Sequence, residues 1–77
     1  MVKPLKNYRF ITADPDMFGG KPVIKGTRLS AAFVLSCLAA GMTPDEIAQT
    51  YAPFPPEAIA EALKLASEVL DAGQVAA

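Results

Sequence analysis

Three glycines divide residues 19–30 into short pieces, and this segment limits how the chain can fold. They are Gly19, Gly20 and Gly26. Glycine adopts backbone angles that other residues reach only with strain, so we predict a turn, a brief extended stretch at Pro22–Ile24 and a second turn. Ser30 stands at the start of the apolar run that follows and is predicted to cap a helix.

A glycine-rich segment that contains lysines can also indicate phosphate binding. A phosphate-binding loop needs glycines that lead directly into Lys and then Ser or Thr at a helix N-terminus. Here Gly26 is followed by Thr27 and Arg28. Lys21 is followed by a proline and two β-branched residues. Neither Lys21 nor Lys25 stands where a nucleotide cradle requires it, so the sequence disfavours nucleotide binding.

The N-terminal third of the chain is rich in strand-forming residues. Aromatic and β-branched side chains at Tyr8–Thr12 predict one strand, and Pro22–Ile24 predicts a shorter one. Two strands alone make a marginal sheet with unpaired edges. We therefore expect the same segments of a second subunit to pair with them.

Helix signals follow the glycine-rich segment. The apolar run Ala31–Ala40 ends at Gly41, a residue suited to a helix C-terminus, and predicts a central first helix. Thr43 and Glu46 form a capping-box pattern, with Pro44 at the first helical position, and predict a short second helix. The residues that this helix is expected to bury are Ile47, Ala48 and Tyr51.

The prolines between residues 53 and 56 end the second helix, and a third is predicted to begin at Pro56 or Glu57. Apolar residues then recur at three- and four-residue steps, which predicts one buried face. These residues are Ile59, Ala62, Leu63, Ala66, Val69 and Leu70. Charged residues form the opposite stripe: Glu57, Glu61, Lys64, Glu68 and Asp71.

Together these elements predict a mainly α fold. We expect a three-helix, helix-turn-helix-like bundle of the homeodomain or winged-helix kind with a short N-terminal β element. Residues 1–77 are assigned to a single domain, with the β element and glycine-rich turns at 8–28 and the helical bundle at 30–72. At 77 residues and 52% apolar composition the chain has little interior in which to hide its apolar surface, so we expect a homodimer.

Charge is divided unevenly along the chain, although the net charge is only −1. The cations of the N-terminal part are the candidate contacts for DNA, phosphate or a protein partner: Lys3, Lys6, Arg9, Lys21, Lys25 and Arg28. They equally suit the solvation of exposed strand edges. For Arg28 we favour a structural role, in which it bridges carboxylates or carbonyls of a partner segment. Tyr8 and Phe18 are the aromatic residues expected to make exposed contacts.

The residue types present disfavour catalysis. The chain has no histidine, which is the usual base for nucleophilic catalysis and the commonest transition-metal ligand, so we expect no enzyme activity, metal site or cofactor. The single cysteine, Cys37, is expected to be a small buried side chain in a reducing environment. No segment has the pattern of a secretory signal or a membrane span, so we expect a cytoplasmic protein with no membrane association.

Three stretches of the chain resemble the domain-of-unknown-function family four hundred and thirty-three, whose members are often described as VapB-like antitoxins. They are Ile11–Pro15, Gly20–Leu29 and Leu38–Ile47, followed by matches at Tyr51, Glu57, Ile59, Ala62 and Leu63. The resemblance implies a helix-turn-helix-like fold, a homodimer and a role beside nuclease-like toxins. Operator DNA is a further candidate partner.

Two features of the third helix oppose DNA reading. Its start carries Glu57, Ala58, Ala60 and Glu61. None of these side chains can donate to guanine or grip adenine with two hydrogen bonds. In addition, Ala52-Pro53 and Ala60 stand where the family has a proline–histidine pair and a basic residue. The alternative function is therefore a protein-interaction module with a helix-turn-helix-like fold and no DNA binding.

Overall fold

The computed structural model describes residues 3–72. Over this range the chain forms a three-stranded sheet, a single 3-10 turn at Phe18–Gly20 and three helices. The strands are β1 (Lys3–Pro4), β2 (Ile11–Ala13) and β3 (Pro22–Ile24), and the helices are α1 (Ala31–Ala39), α2 (Pro44–Thr50) and α3 (Glu57–Asp71). The predicted mainly α, helix-turn-helix-like bundle with a short N-terminal β element is confirmed.

The strands pair in the order β1–β2–β3, and both pairings are antiparallel. Pro4 lies opposite Thr12, and Ile11 lies opposite Ile24. β2 is thus paired on both sides within one chain, which corrects the expectation that a second subunit must supply its partners. The strand also begins at Ile11 rather than Tyr8, because the backbone amides of residues 9 and 10 bond instead to a side chain of α3.

The loop between β3 and α1 is closed by a turn at Gly26. Gly26 has a φ of 79°, and the Thr27 amide donates to the Ile24 carbonyl at 3.0 Å. A positive φ at the third position of a turn is the type II pattern, which favours glycine. The Thr27 hydroxyl donates to the same carbonyl at 2.8 Å and accepts from the Leu29 amide at 3.0 Å. The Thr27 side chain therefore links the residue before the turn, Ile24, to the residue after it, Leu29.

Local signals correctly placed the starts of α1 and α2. The Ser30 hydroxyl oxygen accepts from the Phe33 amide at 3.0 Å. Thr43 and Glu46 form a complete capping box at the start of α2. The chain leaves α1 through Gly41, whose φ is 98°. Each boundary follows from side chains and glycine within a few residues of it.

α1 is the central helix, as predicted. It packs against β3, α2 and α3, and its Val34 and Cys37 side chains are buried. Ile11, Ile24 and Ile47 bring the sheet and α2 into the same apolar cluster. Full burial of a large aliphatic side chain stabilises a fold by about 1.5–3 kcal/mol, so the core depends on residues from every layer.

Three apolar residues of α3 lie outside this core. Leu63, Val69 and Leu70 are 52%, 56% and 60% exposed. The buried face predicted for α3 was therefore too wide. The helix buries a narrower stripe in its first half: Ala58, Ile59 and Ala62. Tyr51, which was expected to be buried beside α2, is likewise 50% exposed.

Replacing Gly26 with valine is expected to destabilise the fold by about 1–3 kcal/mol, because a β-branched residue is strained at a positive φ. Crowding is not the cause, since no atom beyond the chain neighbours lies within 4 Å of the added Cβ position. Lys25→Ala, at an exposed neighbouring position, is the matched control and should change the free energy of unfolding by less than about 0.5 kcal/mol. Urea unfolding compares the two variants, and equal small changes would contradict the strain assigned to this turn.

Candidate functional site

Glu61 joins α3 to the N-terminal segment. Its carboxylate accepts from the Arg9 amide at 3.0 Å and from the Phe10 amide at 2.7 Å. The side chain is half-buried, and hydrogen bonds to a charged group typically stabilise a protein by about 1.5–3 kcal/mol. Glu61 is thus a structural acceptor rather than part of a free charged stripe, which corrects the sequence-based expectation for α3.

A second contact between the same segments involves Tyr8. The hydroxyl group of Tyr8 donates to a carboxylate oxygen of Glu68, and the Lys64 ammonium lies 5.2 Å from the centre of the tyrosine ring. The hydrogen bond to Glu68, burial, and the negative charges of Glu68 and Glu61 raise the pKa of Tyr8 from 10.0 to about 12. Tyr8 therefore keeps its proton at neutral pH. It is half-buried and engaged, not the exposed contact that was expected.

The candidate cations divide between the two ends of the sheet. Lys21 precedes β3 and Lys25 follows it, so the extended strand places their Cα atoms about 13 Å apart. The Lys25 amide donates to the Phe10 carbonyl at 2.8 Å, which brings the backbone of Arg9 near that of Lys25. Lys21 and Lys25 therefore lie at opposite ends of the sheet, and Lys25 lies at the same end as Arg9.

The remaining cations follow the same division. Lys3 lies opposite Ala13, at the end of the sheet where β3 begins. Lys6 lies in the connection between β1 and β2, at the other end. Arg28 follows the Gly26 turn at that same end, and its side chain is exposed. By their backbone positions, the six cations therefore divide between the two ends of the sheet.

Arg28 lines an open pocket of about 300 Å³ together with three aromatic residues, Phe18, Phe33 and Tyr51. Leu29 and Ser30 complete the lining, and we call this cavity the Arg28 pocket. The Phe33 and Tyr51 rings meet edge to face, with 4.9 Å between their centres. Within residues 3–72 the Arg28 guanidinium has no hydrogen-bond or ion-pair partner. The bridge expected for Arg28 is thus not made inside the described chain.

A second cavity, of about 380 Å³, is an apolar groove between α1 and α3. Ala31 and Ala32 line it from α1, and Val69 and Leu70 line it from α3. Lys21 is the one charged residue among its described lining residues. We call it the α1–α3 groove. Because soluble proteins seldom expose large apolar patches without a function, the groove is a candidate surface for protein contact.

The start of α3 offers little for reading base edges. Ala58 is fully buried, and the Glu61 carboxylate is occupied by backbone amides. Glu57 and Ala60 are exposed, and neither side chain donates a hydrogen bond. The α3 face that would enter a DNA groove is therefore small and acidic.

Among residues 3–72, no three or more His, Cys, Asp or Glu side chains cluster in a way that would hold a metal ion. Over the same range, every helix lacks the length and apolar character that crossing a bilayer requires.

Most of the described fold, from β2 to the first part of α3, falls within one region of sequence similarity. A family model described as "Protein of unknown function (DUF433)" matches residues 11–66. The chain belongs to the DUF433 family. The match begins at β2 and ends within α3, so it includes the Gly26 turn and Glu61 but not Tyr8. Comparisons of this DUF433 protein with curated proteins and with solved structures gave no significant match.

Sequence reasoning missed two residues that organise this DUF433 fold. Glu61 resembled any other surface carboxylate on a helix, because its partners lie 52 and 51 positions earlier in the chain. Thr27 stood beside a turn glycine, where a hydroxyl group commonly bonds to nearby backbone, and that local pattern could have identified it. The contacts of Glu61 leave no signal in the nearby sequence, whereas those of Thr27 do.

Glu61→Gln is expected to destabilise this DUF433 protein by about 1–3 kcal/mol, because an amide offers one acceptor and presents a donor to the second backbone amide. Glu57→Gln is the matched control on the same helix. Glu57 is exposed, so its replacement should change the free energy of unfolding by less than about 0.5 kcal/mol. Urea unfolding followed by circular dichroism measures both, and equal effects would show that Glu61 does not anchor the N-terminal segment.

Proposed function

We propose that this DUF433 protein is a non-enzymatic, antitoxin-like homodimer that binds a nuclease-like toxin. The observation that supports the homodimer is the α1–α3 groove, a concave apolar surface between two helices. Resemblance to antitoxin-like proteins supplies the class of partner. A cytoplasmic location suits the proposal, because Cys37 is a free, buried thiol and reducing compartments maintain such thiols.

We assign the groove to the contact between two copies of the chain. Apolar side chains and the small residues that can receive them occur on the same surface: Leu70 is 60% exposed, and Ala32 lies across from it on α1. In a twofold dimer each chain presents the same patch, so such self-complementarity favours pairing. The dimer would then present the remaining surface to a toxin.

DNA binding is the second candidate function. Lys21, Lys25 and Arg28 favour it, since they are exposed and make no ion pair within the described residues. Their division between two ends of the sheet means that one continuous phosphate-binding surface requires the second copy. The acidic, largely occupied start of α3 favours the alternative, an interaction module that does not bind DNA.

Leu70→Asp is expected to weaken the dimer at least tenfold, because it places a charge in the apolar groove. Leu63→Asp is the matched control, since Leu63 is similarly exposed on the same helix but does not line the groove. Sedimentation equilibrium measures both masses, and circular dichroism verifies the folds. A wild-type monomer at high micromolar concentration would exclude the homodimer, and equal weakening by both variants would exclude the groove as its surface.

The same variants test the antitoxin role when each is co-expressed with a nuclease-like protein encoded beside the gene. We expect the wild-type chain and Leu63→Asp to form a complex on size exclusion and to restore growth. The Leu70→Asp variant should restore less growth than the wild-type chain. If the wild-type dimer neither binds nor protects, the antitoxin role fails, while the dimer itself stands on the sedimentation result.

DNA contact is tested by titrating the dimer against its own upstream region and a scrambled duplex at two salt concentrations. If the exposed cations bind phosphates, affinity falls steeply with salt, and alanine at Lys21, Lys25 and Arg28 flattens that slope. Glu57→Ala should then leave binding unchanged or strengthen it. If α3 reads bases, Glu57→Ala instead relaxes sequence preference. No binding at low salt, with or without the toxin, would exclude both DNA models.

A further inference from the structure

The Arg28 pocket is separate from the α1–α3 groove. Phe18 comes from the 3-10 turn, Arg28 from the loop before α1, Phe33 from α1 and Tyr51 from the end of α2. None of the described residues that line this pocket also lines the groove. A partner bound here would therefore leave the proposed dimer surface free.

The aromatic side chains of the pocket are open to solvent. Phe18, Phe33 and Tyr51 are 48%, 39% and 50% exposed. Clustered aromatic residues often dominate the energetics of protein contacts, because each one buries a large area without losing much conformational freedom. The edge-to-face contact between Phe33 and Tyr51 already positions two of the three rings. The rings are thus preorganised to bind an apolar group.

Phe18 is held in a strained backbone conformation. Its φ is 52°, the next residue Gly19 has a φ of 65°, and the Gly20 amide donates to the Met17 carbonyl at 3.0 Å. Two consecutive positive φ values form a turn that prefers Asn, Asp or Gly at the Phe18 position. Backbone strain at a bulky residue is concentrated at ligand-binding and active sites. The exposed ring therefore stands at a position where local backbone preference alone would select another residue.

Arg28 supplies the charge of the pocket and has no partner among residues 3–72. A guanidinium forms two parallel hydrogen bonds with a carboxylate and also stacks on aromatic rings. The Ser30 hydroxyl oxygen accepts from the Phe33 amide, so its own hydrogen stays available as a second donor beside Arg28. A single cation beside apolar rings complements one carboxylate that stands next to one apolar ring. Single-stranded nucleic acid complements it less well, since strand binding uses several cations along the backbone.

We propose that the Arg28 pocket binds a segment of a partner protein in which an acidic side chain stands beside an aromatic one. The carboxylate pairs with Arg28, and the partner's ring packs against Phe18 and Tyr51. This site is independent of the proposed dimer contact.

Three peptide probes separate the contributions of charge and ring. Acetyl-Gly-Asp-Phe-Gly-amide carries both groups, the version with Asn for Asp lacks the charge, and the version with Ala for Phe lacks the ring. Each is titrated into the full chain and followed by nitrogen–proton correlation NMR. We expect chemical-shift changes at the amide signals of Phe18, Arg28 and Tyr51. The acidic aromatic peptide should bind about fivefold more tightly than either of the other two peptides.

Matched variants assign the preference to residues. Arg28→Gln is expected to abolish the preference for Asp over Asn without unfolding the protein, because Arg28 is exposed. Lys25→Gln removes a nearby exposed cation that does not line the pocket, and it should preserve the preference. Tyr51→Ala should weaken the two aromatic peptides equally. Thermal unfolding verifies that each variant is folded.

Three results would overturn the proposal. They are equal affinity for the Asp and Asn peptides, an absence of shifts with the acidic aromatic peptide, and an equal loss of preference in Arg28→Gln and Lys25→Gln. Octathymidylate serves as the nucleic-acid probe. If it displaces the peptide and binds more tightly at the same amides, the pocket is a nucleic-acid site instead. Sedimentation and growth measurements on the groove variants are unaffected by any of these outcomes.

Discussion

The hydrogen bonds from the Arg9 and Phe10 amides to the Glu61 carboxylate determine how the two parts of the molecule fit together. A sheet whose strands have two or three residues is marginal unless it packs against another layer. Glu61 supplies part of that support, because it satisfies the backbone immediately before β2 from the side of α3. Tyr8 and Glu68 reinforce the same connection. The β element is thereby a fixed part of the helical fold.

The size of the chain explains why apolar surface remains after this packing. α1 is the only helix that contacts β3, α2 and α3 among the principal contacts of the described residues, so it occupies the centre. The buried residues of α3 lie in its first half, whereas Val69 and Leu70 in the second half are exposed and line the α1–α3 groove. On another side of α1, Phe33 meets Tyr51 outside the core. A small domain with one central helix thus presents two different apolar surfaces, which allows separate partners.

The predictability of each feature depended on how far apart its residues lie in the sequence. Ser30 and the Thr43–Glu46 pair act within three residues, so the caps of α1 and α2 were predictable. β1 was not, because two residues carry no periodic pattern. The apolar steps of α3 identified a helix but not its buried width, since that width depends on how far its neighbours extend. Arg28 was among the candidate contacts, and that role stays a prediction; the aromatic residues around it come from separate elements that no spacing rule connects.

The separation between Glu61 and its partners also has a consequence for synthesis. A growing chain presents β1, β2 and β3 long before α3, and these neighbouring strands can begin to pair at once. The amides of residues 9 and 10 must nevertheless wait for an acceptor made 52 and 51 positions later. The delay arises from the order of translation, because the chain is made from its N-terminus and α3 comes last among the described elements. On the ribosome, the N-terminal strands of this protein therefore reach their final anchoring only when nearly the whole domain has emerged.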